Sequence, residues 1–149
     1  MRRFSLLLLV LCAAPAARAE DLRSKIAIRV IYAVKDETKS IDPALDDIRQ
    51  ELVDLPFTKF RLLDKLEAEV AINSAVELQL PIKESIEVRF LGLDMSNQKE
   101  MLLLKLAMKP KFNMQFRIAN GGRTLLGGPA HLEGTLVLAV TASLKEATK

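Results

Sequence analysis

Apolar and polar residues alternate along most of this chain, which is the pattern of strands that bury one face. The clearest case is residues 25–35. One face of this segment carries Ile26, Ile28, Val30, Tyr32 and Val34. Ile31 and Ala33 add apolar side chains to the opposite face. We therefore predict a central strand that is covered in part on both sides.

A single segment departs from this alternation and has helical spacing. Its apolar residues are Leu45, Ile48, Leu52 and Leu55. This three-and-four spacing places them on one side of a helix. Asp42 can accept a hydrogen bond from the first turn, and Pro43 suits the first helical position because it has no N–H to leave unpaired. The pattern predicts one amphipathic helix near residues 43–54, ended by Pro56.

Alternation returns after the helix and continues to the end of the chain. Phe60, Leu62, Leu66, Ala68 and Val70 are predicted to share one face, with Asp64 marking a bulge. The run Met101–Met108 is apolar except for Lys105, so it is either a helix or a strand buried on two sides. The proline after it and the strand-rich surroundings favour a strand.

The last forty residues contain strong turn signals. Residues 112–118 alternate, and Asn120-Gly121-Gly122 follows them, which is typical of a β-hairpin with a returning strand near residues 123–126. Gly127-Gly128-Pro129 predicts a break. A final strand is expected from His131 to Ala142, where Gly134 indicates a bulge or the close approach of a large neighbour.

With two short alternating runs at Val76–Leu80 and Ile86–Phe90, these elements amount to seven or eight strands and one helix. Consecutive strands joined by short loops favour antiparallel pairing, and a single helix can cover only part of a sheet. The predicted fold class is α+β, with a mainly antiparallel sheet arranged as a meander or a sandwich. The strand order and closure into a barrel are left open by the pattern.

The first nineteen residues have the organisation of an export signal. Met1-Arg2-Arg3 is followed by the apolar run Phe4–Ala14 and then by Ala17-Arg18-Ala19. A positive start, an apolar core too short to span a bilayer and small residues before a cleavage point define a signal peptide. We expect residues 1–19 to be removed and residues 20–149 to form one exported β-rich domain, periplasmic or secreted, with no integral membrane span.

Removal of this signal changes the charge and the redox chemistry of the chain. The chain has 22 Lys and Arg residues and 19 Asp and Glu residues. Loss of Arg2, Arg3 and Arg18 leaves 19 of each sign, so the mature chain is neutral. Export and neutrality argue against nucleic acid as a partner. Cys12, the only cysteine, also leaves, so no disulfide can support the mature fold.

Candidate catalytic chemistry is sparse. His131 is the only histidine, and Glu133 is predicted two residues away on the same strand face. Such a pair could act as acid and base or contribute two metal ligands. No other residue pattern supports catalysis, a metal centre or a cofactor. An exposed histidine at a strand end is the simpler interpretation.

Charge is distributed unevenly along the chain. A candidate basic interaction patch consists of Lys109, Lys111, Arg117 and Arg123. A candidate acidic patch consists of Asp36, Glu37, Asp46 and Asp47. Opposed patches suit contact with a charged partner, whereas pairing within the folded chain is the alternative.

Three functional hypotheses follow from these observations. The first is a non-enzymatic binding or assembly module of the bacterial cell envelope with a protein partner. The second is a carrier of an apolar ligand such as a lipid, because both Ile26–Val34 and Met101–Met108 have apolar residues on two faces. The third is an exported hydrolase that uses His131.

Overall fold

Nine strands and one short helical segment make up the computed structural model, which describes residues 22–95 and 98–145. The strands are β1 (Arg23–Val34), β2 (Ser40–Ile41), β3 (Lys59–Ala71), β4 (Ser74–Gln79), β5 (Ser85–Asp94), β6 (Met101–Met108), β7 (Phe112–Ala119), β8 (Gly122–His131) and β9 (Gly134–Leu144). A 3-10 turn, Pro43–Ile48, leads into the helix α1, Arg49–Val53. The predicted signal peptide, residues 1–19, lies outside the described residues.

The strands form two sheets that face each other. One has five strands in the order β2-β3-β1-β9-β8, and the other has four in the order β4-β5-β6-β7. Every pairing within these sheets is antiparallel except the short contact between β2 and β3. The predicted α+β class with a mainly antiparallel sheet is therefore confirmed, and the arrangement is a sandwich.

The main hydrophobic core lies between the two sheets. From the five-stranded sheet it receives Ile26, Ile28 and Val30, and from the four-stranded sheet it receives Phe90 and Leu104, all fully buried. These residues occupy alternate positions on their strands, as half-buried strands require. Met101–Met108 is confirmed as a strand.

A second, smaller core lies on the outer face of the five-stranded sheet. The buried Leu45, Ile48 and Leu52 of the helical segment pack against Ile31 and Ala33. Their strand, β1, lies between β3 and β9. The prediction of a central strand covered on both sides is confirmed.

The helical segment begins where the sequence predicts. One carboxylate oxygen of Asp42 accepts a hydrogen bond from the Ala44 N–H at 3.0 Å, and the other accepts from the Leu62 N–H at 3.2 Å. The same side chain therefore caps the segment and ties it to β3. The segment differs from the predicted continuous helix because its first six residues are a 3-10 turn.

The bulge predicted at Asp64 is present and has a consequence that alternation alone did not reveal. Val30 pairs with Asp64 but Ile31 pairs with Leu62, so Leu63 is an extra residue in β3. The prediction that five apolar residues of this strand share one face is therefore wrong. Phe60 and Leu62 pack on the helical side, whereas Leu66, Ala68 and Val70 face the other sheet.

The hairpin predicted at Asn120-Gly121-Gly122 is also wrong. β7 pairs with β6 and β8 pairs with β9, so this turn carries the chain from one sheet to the other. The Asn120 N–H donates to the Glu100 carbonyl in one sheet, and the Gly121 N–H donates to the Ala142 carbonyl in the other. Turn chemistry identified the reversal but not the partners of the two strands.

The final strand boundaries need a correction as well. β8 continues through Gly127-Gly128-Pro129, where its register with β9 shifts, so these residues form a bulge and not a break. The actual turn is Leu132-Glu133. His131 therefore ends β8 and does not begin the last strand, and Glu133 lies in the turn.

Candidate functional site

The two chain crossings between the sheets lie at the same end of the sandwich. One crossing follows Ala71, which pairs with Arg23 at the start of β1. The other precedes Gly122, which pairs with Ala142 near the end of β9, and that end of β9 pairs with Ser24 of β1. Both crossings hold the sheets together there. At the opposite end no crossing joins the sheets among the described residues, and we call this the open end.

The exposure of side chains along the inner face of β1 and β3 shows where the four-stranded sheet stops covering the five-stranded sheet. Val30 is fully buried, whereas Tyr32 and Val34, further along the same face of β1, are half-buried. Arg61 pairs with Tyr32 and Lys59 pairs with Val34, which places both cations on this face. The bulge in β3 explains why these charged residues lie on the same face as Val30.

These side chains line a groove of about 340 Å³, which we call the open-end groove. It is lined by Tyr32, Val34, Lys35, Asp36, Lys59, Arg61 and Glu133. The groove belongs to the end of the five-stranded sheet that the four-stranded sheet leaves uncovered. It combines one aromatic ring with three cationic and two anionic side chains.

Close packing holds the aromatic ring of the groove in place. Tyr32 meets His131 edge to face, with ring centroids 5.6 Å apart and an interplanar angle of 85°. A Cβ at Gly134 would lie 2.1 Å from the Ala33 carbonyl oxygen and 3.1 Å from the Tyr32 ring. The predicted close approach at Gly134 is thus confirmed, since glycine leaves room first for the Ala33 carbonyl and also for the Tyr32 ring.

The charges of the groove are only partly paired. The Lys59 ammonium lies 3.8 Å from an Asp36 carboxylate oxygen. The Asp36 backbone is fixed by Thr58, whose hydroxyl accepts from the Asp36 N–H at 2.7 Å. Within the part of the chain that the structure describes, neither Arg61 nor Lys35 has an ion-pair partner. A partner carboxylate could therefore reach Arg61 without displacing an internal contact.

His131 and Glu133, the predicted acid and base pair, are placed in different elements by the turn. The contact that the structure gives to His131 is the Tyr32 ring. Glu133 lines the groove from the β8–β9 turn. Among residues 22–95 and 98–145, no cluster of three or more His, Cys, Asp or Glu side chains could hold a metal ion. The arrangement is suited to binding by charge and by an aromatic surface.

The four residues of the predicted basic patch do not form one surface. Lys109 and Lys111 flank Pro110 in the β6–β7 turn and line a separate groove of about 410 Å³, where Lys111 pairs with Glu84. Arg117 lies on β7 and contacts Asp94 at 3.0 Å. The fourth residue, Arg123, lies on β8 in the other sheet.

The predicted acidic residues are divided in the same way. Asp36 and Glu37 lie in the loop after β1, and Asp36 belongs to the open-end groove. Asp46 and Asp47 lie in the 3-10 turn. Asp46 contacts Arg49 at 2.5 Å on the same segment.

Asp47 joins the two predicted patches through internal ion pairs. Arg29 donates two hydrogen bonds to it, at 2.8 and 2.5 Å, and Arg123 lies 3.7 Å away while also contacting Glu51 at 2.7 Å. The hydrogen bonds from Arg29 lower the pKa of Asp47 to about 2. Pairing within the chain is therefore the role of this part of both patches.

The residues of the open-end groove were not predicted as a site, although two signals point to them. Lys59 and Arg61 are charged residues on a strand whose bulge reverses its faces. Tyr32 is the only tyrosine of the chain, and it follows three buried residues on the same strand face. The bulge was predicted, but its effect on the side chains before it was not.

No protein-family model, no curated protein and no solved structure matches the chain. Within the described residues, none of the helical segments has the length and apolar character needed to cross a membrane. The open-end groove combines the Tyr32 ring with two cations, Lys35 and Arg61, that have no ion-pair partner among the described residues.

Proposed function

We propose that this chain is an exported, non-enzymatic binding or assembly module of the bacterial cell envelope, which docks a protein partner at the open-end groove. The observation that carries the proposal is Arg61, which has no ion partner among the described residues and lies opposite Tyr32 on one strand face. Tyrosine and arginine are enriched at the centres of protein interfaces. The export signal predicted at residues 1–19 supports the location.

The held position of Tyr32 adds to this proposal. The ring packs edge to face on His131 and close to the backbone at Gly134, so less side-chain entropy remains to be lost when a partner covers it. Lys59, which pairs with Val34, and Lys35, which follows Val34, extend the positive character from Arg61 toward the end of β1. A partner segment that offers a carboxylate to Arg61 and an apolar surface to Tyr32 would complement the groove.

The alternative of an apolar-ligand carrier is less well supported by the packing. A carrier needs a cavity of several hundred Å³ lined by apolar side chains. The inner faces of the strands that suggested one are instead packed against each other in the core between the sheets, and Ile31 and Ala33 on the outer face of β1 lie beneath the helical segment. The hydrolase alternative would need His131 hydrogen-bonded to a carboxylate or to a nucleophilic serine or threonine hydroxyl, whereas its ring packs edge to face on the Tyr32 ring.

Site-specific photocrosslinking in the source bacterium tests the proposal. A photoreactive phenylalanine analogue at position 59 is expected to give one discrete adduct with an envelope protein. The same analogue at position 105, on the outer face of the four-stranded sheet, is expected to give none. Arg61→Glu should abolish the adduct because it reverses the unpaired charge of the groove.

The matched control is Lys65→Glu, which makes the same charge change on β3 beyond the bulge. This variant should retain the adduct at position 59. Equal adducts from positions 59 and 105, or an adduct unaffected by Arg61→Glu, would contradict docking at the groove. Recovery of the protein in the cytosolic fraction would contradict the envelope location.

A further inference from the structure

Most of the sheet edges carry features that prevent another strand from pairing with them. On β3, carboxylate oxygens of Asp42 and Asp64 accept the backbone N–H groups of Leu62 and Lys65. The bulge at Leu63 lies between these two positions. Side chains that occupy backbone donors, together with bulges, are recognised means of protecting edges from strand addition.

The edges formed by β8 and β4 are protected in other ways. β8 contains Pro129 and a register shift between Gly127 and Ala130, which interrupt its line of backbone donors. β4 has only six residues. A short or interrupted edge offers few hydrogen bonds to an added strand.

The remaining edge, β7, lacks these features. Its eight residues, Phe112–Ala119, contain no proline and pair with β6 without a register shift. The Asn120 N–H donates to the Glu100 carbonyl, so even-numbered residues of β7 bond to β6 and odd-numbered residues point their backbone groups outward. In the described structure no hydrogen bond occupies the outward backbone groups of Asn113, Gln115 and Arg117.

Apolar side chains along this edge are incompletely covered. Phe112, Met114 and Phe116 face the core between the sheets but are only half-buried. On the adjacent strand β6, Leu104 and Leu106 face the same core and are fully buried. A strand added to β7 would therefore gain backbone hydrogen bonds and cover apolar surface at the same time.

From these features we infer that β7 is the site at which two copies of this chain associate. Their β7 strands pair antiparallel about a two-fold axis at Gln115, and the two four-stranded sheets become one continuous sheet. Isologous contact of this kind is the commonest route to a homodimer. This inference concerns a different surface from the open-end groove and does not depend on the partner proposed there.

The charges on the outer face of β7 exclude a slip in one direction, and the apolar side chains on its inner face exclude a slip in the other, which would place Phe112 opposite Asn120 of the second copy. With Gln115 opposite Gln115 of the second copy, Arg117 lies opposite Asn113, and Lys111 lies opposite Ala119. A slip of two residues would bring Arg117 opposite Lys111 of the second copy, where like charges repel. On the inner face, the chosen register places Met114 opposite Phe116, so every apolar residue there has an apolar neighbour.

A charge exchange at the two-fold axis tests the inference. Sedimentation equilibrium of the purified protein should show a monomer–dimer equilibrium. Gln115→Glu and Gln115→Lys should each raise the dimer dissociation constant roughly fivefold, because each variant places like charges opposite one another. An equimolar mixture of the two variants should recover the association, since opposite charges then meet at the axis.

Ala75→Glu is the matched control. It introduces the same charge on β4, at the other edge of the same sheet, and should leave the dissociation constant unchanged. Failure of the mixed variants to recover the association would overturn the two-fold contact. A wild-type protein that stays monomeric across the concentration series would overturn self-association altogether.

Amide hydrogen exchange gives a second readout that needs no substitution. The N–H groups of Asn113, Gln115 and Arg117 should exchange more slowly at concentrations that favour the dimer than in dilute protein. The N–H of Ala75, on the opposite edge, should show no such change. Equal exchange of the three β7 amides at both concentrations would also overturn the inference.

Discussion

The outer faces of the two sheets differ in what covers them. On the five-stranded sheet, the helical segment buries Ile31, Ala33 and Ala139 on a face that would otherwise meet solvent. On the four-stranded sheet, the corresponding outer positions hold residues such as Glu87 and Arg89. Because of this one short segment, the five-stranded sheet is buried on both faces, whereas the four-stranded sheet is buried on one.

The sequence pattern at these outer positions changes where the helical cover begins. On β1, the outer face carries Lys25 and Arg29 at one end and Ile31 and Ala33 at the other. Arg29 marks the boundary, because its guanidinium binds Asp47 of the 3-10 turn. The helical segment thus contacts β1 through an apolar centre and an ionic rim, whereas no described segment packs in this way on the outer face of the four-stranded sheet.

The largest expected effect comes from removing an apolar side chain beneath the cover. Ile31→Ala should lower the free energy of unfolding by about 2–5 kcal/mol, because Ile31 is fully buried and its loss leaves a cavity. Leu103→Ala, on the outer face of the four-stranded sheet, should cost about 1 kcal/mol or less because Leu103 is already partly exposed. Urea unfolding followed by circular dichroism measures both.

If both substitutions lowered the free energy of unfolding equally, the outer faces of the two sheets would not differ in burial as described. A small cost at Ile31 alone would indicate that the helical segment leaves the sheet readily. In that case the second core would contribute little to the stability of the domain.

A smaller loss of stability is expected when the attachment of the helical segment to β3 is weakened. Asp42→Ala removes the acceptor for the Ala44 and Leu62 N–H groups and should cost about 1–2 kcal/mol. Asp46→Ala is the matched control, since among the described residues its exposed carboxylate pairs with Arg49 alone, and its cost should stay within about 0.5 kcal/mol. Similar values for both variants would show that the cap does not anchor the segment.

The features that depend on local sequence were predicted well. Strand alternation, the cap at Asp42, the bulge at Asp64 and the close approach at Gly134 each follow from the chemistry of a few neighbouring residues. The burial of β1 on both faces was also predicted, because Ile31 and Ala33 are apolar residues on the face opposite Ile28.

Features that depend on which segments meet were predicted poorly. The Asn120-Gly121 turn has the residues of a hairpin, yet its two backbone N–H groups bond to different sheets. The open-end groove was missed for the same reason, since it forms only where β1, β3 and the β8–β9 turn come together. Similarly, Arg123 was assigned to a surface patch because its contact with Glu51 spans 72 positions of sequence.

The smallest expected effect concerns the ionic rim of the covered sheet and depends on pH. The hydrogen bonds from Arg29 hold the pKa of Asp47 at about 2, below the ordinary value of an aspartate. A carboxyl whose pKa is lowered by folding stabilises the folded state above its unfolded pKa, near 4, and this contribution is lost as the pH falls to about 2. Because the Asp47 side chain is 55% exposed, solvent screening limits the contribution to less than about 1 kcal/mol.

Comparison of the wild type with Asp47→Asn in urea at several pH values checks this expectation. The variant should be less stable at neutral pH, and the difference should shrink to nothing as the pH falls from about 4 to about 2. In an Arg29→Met background, the same substitution should have a smaller effect, because the main source of the lowered pKa is gone. A difference that is constant with pH, or that survives unchanged without Arg29, would mean that packing and not the ionic rim joins the cover to the sheet at Asp47.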